Sequence, residues 1–163
     1  MYFINELKKI NEENPGKIAM FIDMDGVVAD YRFGEGKDIE NNVPGIYLNK
    51  RPISTAINIL KEVKNTFDFD IYILSSCRYD EQAVEKSIWL EKNMPFIDKN
   101  CQLFVVSNTF ENRKIMKINK IKENINNKYA KAIIIDDTHD ILFLAIKELG
   151  NMVIPYHVIT LFD

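Results

Sequence analysis

The sequence predicts an α/β fold, a three-layer sandwich in which helices cover both faces of a doubly wound, mostly parallel, five-stranded sheet. Short apolar runs alternate along the chain with amphipathic helical patterns, which is typical of such a sheet. The chain has 163 residues, 47% of them hydrophobic, and this size and composition fit one domain with a substantial core. We therefore expect residues 1–163 to form a single domain.

The predicted strands and helices follow one another in order along the chain. The strands are apolar runs bounded by polar residues or turn formers, as strands buried on both faces should be, and they are predicted at 18–23, 71–75, 103–107, 133–136 and 152–155. Helices are predicted at 2–13, 54–66, 80–93, 112–124 and 139–149. Ser54 and Thr138 are the expected N-caps of two helices, because their hydroxyls can accept hydrogen bonds from first-turn N–H groups.

The first predicted strand ends in a pair of acids, Asp23 and Asp25, followed at once by Gly26. Open α/β sheets bind their ligands at the edge where parallel strands end. Carboxylates at that edge can hold a hard cation such as Mg²⁺ or attack a phosphorus centre. The alternative is a turn with solvated acids, since Asp and Gly are both favoured in turns.

A second predicted strand also ends in paired acids, Asp136 and Asp137, with Thr138 and Asp140 beginning the next helix. Like charges brought together at the sheet edge cost free energy unless a cation or a proton compensates them. Four acids at two strand ends therefore predict a metal site. Helix N-capping remains an alternative role for Asp137 and Asp140.

The segment 31–52 fits neither a strand nor a helix and contains glycines, asparagines and two prolines with aromatic residues between them. Loops of this length inside compact domains are usually functional or mobile. Because it follows the first acid pair, it is predicted to be a small cap over the sheet edge, and the alternative is a disordered surface insertion. Tyr31, Phe33 and Tyr47 are candidates to stack on a nucleobase, or alternatively form a small core within the cap itself.

Charge and cysteine content narrow the function classes. The net charge is −3 and both signs are interspersed along the chain, so nucleic acid is not an expected partner. The basic stretch 114–128 is interpreted as a solvated helix face rather than a polyanion site. Two cysteines without metal-binding spacing predict a reducing, cytoplasmic setting. No apolar run reaches the ~18 residues that a membrane span requires.

These residues together resemble the haloacid dehalogenase-like superfamily of phosphohydrolases, over residues 18–154. The stretch from Asp23 to Val27 is similar to the first family motif, which implies that Asp23 is the nucleophile and Asp25 the general acid and base. The strand ending at Ser75 resembles the second motif, and Asp136 with Asp137 the fourth. For the third motif, a lysine, Lys114 is the choice and Lys117 the alternative.

The resemblance implies a phosphomonoesterase that works through an aspartyl-phosphate, with Mg²⁺ held at the acids Asp23, Asp25, Asp136 and Asp137. Ser75, Ser76 and the lysine would bind the phosphoryl group. Crowding by the other acids is expected to raise the pKa of Asp25, so that it can protonate the leaving oxygen.

Several short sequence stretches are most similar to the 5'(3')-deoxyribonucleotidase group, namely residues 23–30, 51–53, 87–92 and 135–137. This likeness implies a small-molecule phosphate ester as substrate, namely a nucleoside monophosphate. Two alternatives remain open. One is a capless phosphatase that acts on polynucleotide 3'-ends or on other phosphorylated metabolites, and the other is a protein that binds metal or phosphate without turnover.

Overall fold

The computed structural model describes residues 1–32 and 34–163 and has the predicted fold class. Five strands form one sheet in the order β3-β2-β1-β4-β5, with every neighbouring pair parallel. The strands are β1 (Ile18–Ile22), β2 (Phe69–Cys77), β3 (Gln102–Val106), β4 (Lys131–Asp136) and β5 (Val153–His157). The helices are α1 (Tyr2–Glu13), α2 (Gly36–Glu40), α3 (Ser54–Thr66), α4 (Asp80–Asn93), α5 (Phe110–Ile125) and α6 (His139–Leu149).

The central strand β1 divides the core into two layers. Its side chains alternate between the faces of the sheet, and all five are buried. Ile18, Met20 and Ile22 join the hydrophobic cluster that includes residues of α1, α3 and α4. Ala19 and Phe21 join the cluster that includes residues of α5 and α6. A continuous apolar strand between two helical layers is what the uninterrupted hydrophobic run predicted.

The predicted helix ranges agree closely with the observed ones, with differences at the caps, at the start of α5 and in the segment 31–52. Ser54 is the first residue of α3 rather than its N-cap, and Thr138 occupies the N-cap position of α6 without a side-chain capping bond. The cap that does form is Thr109, whose side chain accepts a hydrogen bond from the backbone N–H of Asn112, so α5 starts two residues earlier than predicted. The short helix α2 inside the segment 31–52 was not predicted, because five residues carry too little periodicity.

Strand order brings the two acid pairs together. β1 pairs with β4 so that Ile22 lies opposite Ile135, and the backbone N–H of Asp23 donates to the carbonyl of Ile135 at 2.9 Å. Asp23 and Asp136 therefore leave adjacent strands side by side. β2 pairs with β1 on its other side, so the C-terminal end of β2 lies at the same edge of the sheet.

None of the helices in 1–32 and 34–163 has both the length and the apolar character that a bilayer crossing needs.

Candidate active site

Three carboxylates and one lysine converge where β1 and β4 end. Ligand oxygens of Asp23, Asp136 and Asp137 lie within 4.8 Å of one another. The Nζ of Lys117, from α5, donates to Oδ1 of Asp23 at 2.8 Å and to Oδ2 of Asp136 at 2.9 Å. Lys117 and Asp136 are each only 2% exposed. The ammonium thus offsets part of the repulsion between two buried acids.

The structure brings Lys117, not Lys114, to the acid cluster. Lys114 points toward α6, where its Nζ pairs with Asp140 at 3.6 Å, and it also pairs with Glu111 at 2.9 Å within α5. The choice of Lys114 as the lysine beside the nucleophile is therefore corrected. The sequence does carry a signal for Lys117: it stands four and eight residues before Ile121 and Ile125, on the buried stripe of α5.

Burial governs the protonation of Asp23. Desolvation, together with the charges of Asp136 and Asp25, raises the pKa of Asp23 to about 7, although Lys117 opposes this shift. Burial and the charge of Asp136 also raise the pKa of Asp137. Both shifts come first from burial and second from neighbouring acids, and a bound divalent cation would oppose both of them.

Asp25 lies between two buried lysines that the sequence analysis did not identify. Lys86 donates to Oδ2 of Asp25 at 2.5 Å, and the Nζ of Lys50 is 3.4 Å from Oδ1. Burial alone would raise the pKa of Asp25, but the two ammonium groups outweigh it and hold that pKa below its ordinary value. The expectation of a raised pKa is therefore wrong, because the nearest charges are cations rather than the other acids.

Lys86 also connects Asp25 to the end of β2. Its Nζ donates to Oγ of Ser75 and to the backbone carbonyl of Ser76, both at 2.8 Å. Ser75 is fully buried, whereas Ser76 lines the cavity next to the acids. Lys86 lies on the buried face of α4 with Gln82 and Trp89, and this spacing of three and four residues is the sequence signal that marks it as buried.

Gly26 has a steric role in the acid cluster. Its φ is +77°, in the left-handed region that favours glycine. A Cβ at this position would meet Oδ2 of Asp137 at 2.2 Å. The glycine of the Asp-x-Asp-Gly pattern therefore serves both the turn and the close approach of the second acid pair.

A cavity of about 380 Å³ opens above the acids. Asp23, Asp25, Asp137 and Lys117 line its floor, and the segment 31–52 supplies part of its wall. The segment therefore lies beside the acids, and its role as a cap stays a prediction.

Two of the three candidate stacking residues differ sharply in exposure. Tyr31 lines the cavity and is 56% exposed. Tyr47 also lines it but is only 3% exposed, with its ring centroid 4.4 Å from the Nζ of Lys86 and 5.2 Å from that of Lys50. Of the two rings, Tyr31 is the more exposed, although the Nζ of Lys50 lies 5.1 Å from its centroid as well. Phe33 lies outside the described residues.

The cap is held against α4 by hydrogen bonds to polar side chains of that helix. Glu85 accepts from the backbone N–H groups of Gly45 at 2.6 Å and Tyr47 at 3.0 Å. Gln82 donates to the carbonyl of Ile39 at 2.8 Å. These bonds hold residues 39–47 of the segment against α4.

Comparisons with known proteins give a fold but no sequence relative. No protein-family model matches the chain, and no curated protein matches it. Among solved structures, a chain of the Pnkp1/Rnl/Hen1 RNA repair complex is similar over 86% of this chain, at 20% identity and TM-score 0.64. This chain spans only 42% of that one.

Two further structures share the architecture. The class C acid phosphatase from Bacillus anthracis matches 99% of this chain and 78% of its own, at 14% identity and TM-score 0.60. The HAD domain of effector protein Lem4 from Legionella pneumophila matches 88% of this chain and 87% of its own, at 14% identity and TM-score 0.52. The chain has the fold of a HAD domain. The expected likeness to haloacid dehalogenase-like proteins is thus confirmed for the fold, and the deoxyribonucleotidase subgroup stays a prediction.

Proposed function

We propose that the protein is a Mg²⁺-dependent phosphomonoesterase with Asp23 as its nucleophile. The observation that carries the proposal is the convergence of Asp23, Asp136, Asp137 and Lys117 at the end of the central strands. Carboxylates next to a buried ammonium suit a reaction in which an anion attacks an anionic phosphate. The fold shared with an acid phosphatase supports this class of chemistry.

The donor set fits a hard divalent cation. Asp23, Asp136 and Asp137 offer oxygen ligands within 4.8 Å, which is what Mg²⁺ prefers, together with the backbone carbonyl of Asp25. Bound there, Mg²⁺ would neutralise charge between the nucleophile and the phosphate. The side chain of Asp25 was also expected as a ligand, but its oxygens face Lys86 and Lys50, so we assign it to proton transfer instead.

In the first half of the proposed reaction, a carboxylate oxygen of Asp23 forms a bond to phosphorus while the bond from phosphorus to the ester oxygen breaks. The leaving oxygen takes a proton from Asp25. Lys86 and Lys50 favour the ionised form of Asp25 in the free protein. The incoming phosphate is a like charge beside Asp25 and raises its pKa, so proton uptake accompanies substrate binding.

In the second half, Asp25 removes a proton from water, and the water oxygen attacks the aspartyl-phosphate and releases Asp23 and inorganic phosphate. The two lysines favour the ionised base that this step needs. Lys117 and Ser76 are proposed to bind phosphoryl oxygens from the cavity wall. The backbone N–H groups of Met24 and Asp25 make no hydrogen bond within the described residues and can donate to the same oxygens.

The proposed substrate is a nucleoside monophosphate, with the base stacked on the exposed ring of Tyr31 at the cavity rim. The resemblance to deoxyribonucleotidases supports this class. A polynucleotide 3'-end is a second candidate, favoured by the structural likeness to a chain of an RNA repair complex. The same acids would act on both candidate substrates. The substrates differ only in the group that the cavity rim must bind, which is a single nucleoside in one case and a polynucleotide chain in the other.

The decisive test is Asp23→Asn, which preserves the side-chain shape but removes the nucleophile. Phosphate release in Mg²⁺ should fall by more than about a thousandfold across nucleotides, sugar phosphates and 3'-phosphorylated oligonucleotides. Asp98→Asn is the matched control, because Asp98 is exposed and absent from the cavity wall. Wild-type turnover by Asp23→Asn would exclude the covalent mechanism.

A further inference from the structure

Two arginines line the cavity beside the proposed phosphoryl site. Arg78 follows the end of β2, and Arg113 lies in the first turn of α5. Arg113 donates to the carbonyl of Ser107 at 2.8 Å, and Arg78 donates to the carbonyl of Asn108 at 3.2 Å. Both guanidinium groups are thus tied to neighbouring positions of the loop between β3 and α5.

The charge of Arg113 is not paired within the protein. Among residues 1–32 and 34–163, no carboxylate lies within 4.0 Å of its guanidinium, although the side chain is partly buried. Burial and the charge of Arg78 together lower its pKa. Four of its five N–H donors remain for other partners. Two cations on one cavity wall repel each other, and an anion between them would relieve that repulsion.

The pair lies at a defined distance from the proposed phosphoryl site. Arg113 and Lys117 are four residues apart on α5, so they project from the same face of the helix with ~5–6 Å between their Cβ atoms. A substrate that places one phosphate beside Lys117 therefore has its next group beside Arg113. Arg78 also pairs at 3.2 Å with Glu40 of the segment 31–52, which lines the same cavity. The two side chains are 32% and 57% exposed, and an ion pair with this much exposure contributes little.

We propose that Arg78 and Arg113 form a subsite for a second phosphate of the substrate, one helical turn from the phosphoryl group that is removed. The inference rests on the proposed phosphomonoesterase function and specifies its substrate class. Guanidinium groups bind phosphate through paired N–H donors, so two of them favour a phosphate over a neutral ribose hydroxyl at this position.

Two kinds of substrate carry a second phosphate across a single sugar. One is a nucleoside 3',5'-bisphosphate, and the other is an oligonucleotide with a terminal phosphate, in which the second group is a phosphodiester. The two sources share the chemistry of the subsite. They differ in charge, because a phosphodiester carries one negative charge and a terminal phosphate carries close to two at neutral pH.

The test compares kcat/KM for a deoxynucleoside 5'-monophosphate, the 3'-monophosphate, the 3',5'-bisphosphate and a dinucleotide 3'-phosphate. We expect wild type to prefer a doubly phosphorylated substrate to both monophosphates by at least about tenfold, since a charge-assisted hydrogen bond is worth that much. Arg113→Gln should remove most of this preference. Lys120→Gln, two turns along the same helix and outside the cavity, removes the same charge and should retain the preference.

Three results overturn the subsite: a wild type without preference, an Arg113→Gln variant that loses equally on all four substrates, or a Lys120→Gln variant that loses the preference as well. Calorimetric binding of the bisphosphate and the 5'-monophosphate to Asp23→Asn separates the subsite from the reaction. Tighter binding of the bisphosphate, abolished by adding Arg113→Gln, supports the subsite even if no substrate is turned over. Equal binding of the two ligands rejects it independently of catalysis.

Discussion

The raised pKa of Asp23 makes the stability of the metal-free protein depend on pH in a way that one substitution should remove. In the folded protein this pKa is about 7, against an ordinary value of 3.8 for an unperturbed aspartate. Between these values the native state holds a proton that the unfolded chain has lost, so the free energy of unfolding falls as pH rises through this window. At about 1.4 kcal/mol per pH unit, the loss from Asp23 reaches about 4 kcal/mol by pH 7 and is constant above it.

Asp23→Asn removes this titration while Lys117 keeps its hydrogen bond to Asp136. In chelator, the variant and wild type should be about equally stable near pH 4. By pH 8 the variant should be more stable by about 4 kcal/mol, which corresponds to roughly 10 °C in melting temperature for a chain of this size. The raised pKa of Asp137 and the lowered pKa of Asp25 are present in both proteins, so the difference between them reports the titration of Asp23 together with its coupling to Asp136 and Asp25.

Urea denaturation from pH 4 to pH 8 in chelator measures this difference directly. Adding Mg²⁺ should then raise the stability of wild type at pH 8, because the cation binds the native acid cluster and not the unfolded chain. Parallel stability curves for the two proteins would refute the assignment of the negative-charge excess to Asp23. A wild type that becomes more stable than the variant as pH rises would show that the pKa of Asp23 is lowered rather than raised.

Three other perturbations separate the roles of neighbouring residues. Lys117→Met should lower kcat/KM by more than about a hundredfold and destabilise the protein by about 3 kcal/mol, because it leaves buried acids uncompensated. Lys114→Met should change kcat/KM and stability little. Equal effects of the two substitutions in urea and activity assays would contradict the placement of Lys117 beside the acids. Asp136→Ala should abolish the rise in melting temperature caused by Mg²⁺, and a full rise in that variant would put the cation elsewhere. Tyr31→Ala should lower kcat/KM for nucleotides by about ten- to a hundredfold, since stacking is worth ~1–3 kcal/mol. The same substitution should leave kcat/KM for a sugar phosphate unchanged. Equal losses on both substrates would show that the ring holds the segment 31–52 together rather than binding a base.

The local pattern of the chain predicts the fold and the position of the acids well. Uninterrupted apolar runs predict strands that are buried on both faces, and the helices between these strands predict that the strands pair in parallel. Both features can be recognised in short stretches of sequence. The same reasoning predicts that Asp23 and Asp136 meet, because parallel strands all end at one edge of a sheet. These inferences need no knowledge of which helix packs where.

The cations of the site could not be predicted in the same way, because each reaches the acids across a long sequence separation. Lys86 bonds to Asp25 from 61 residues away, and Lys117 bonds to Asp23 from 94 residues away. A lysine on an amphipathic helix ordinarily has its charge in water. The apolar stripe of α5 predicts that Lys117 lies on the buried face, but it does not predict which group its ammonium contacts. Only the packing of α4 and α5 against the sheet decides which ammonium groups are buried beside a carboxylate, and with that it decides the sign of the Asp25 pKa shift.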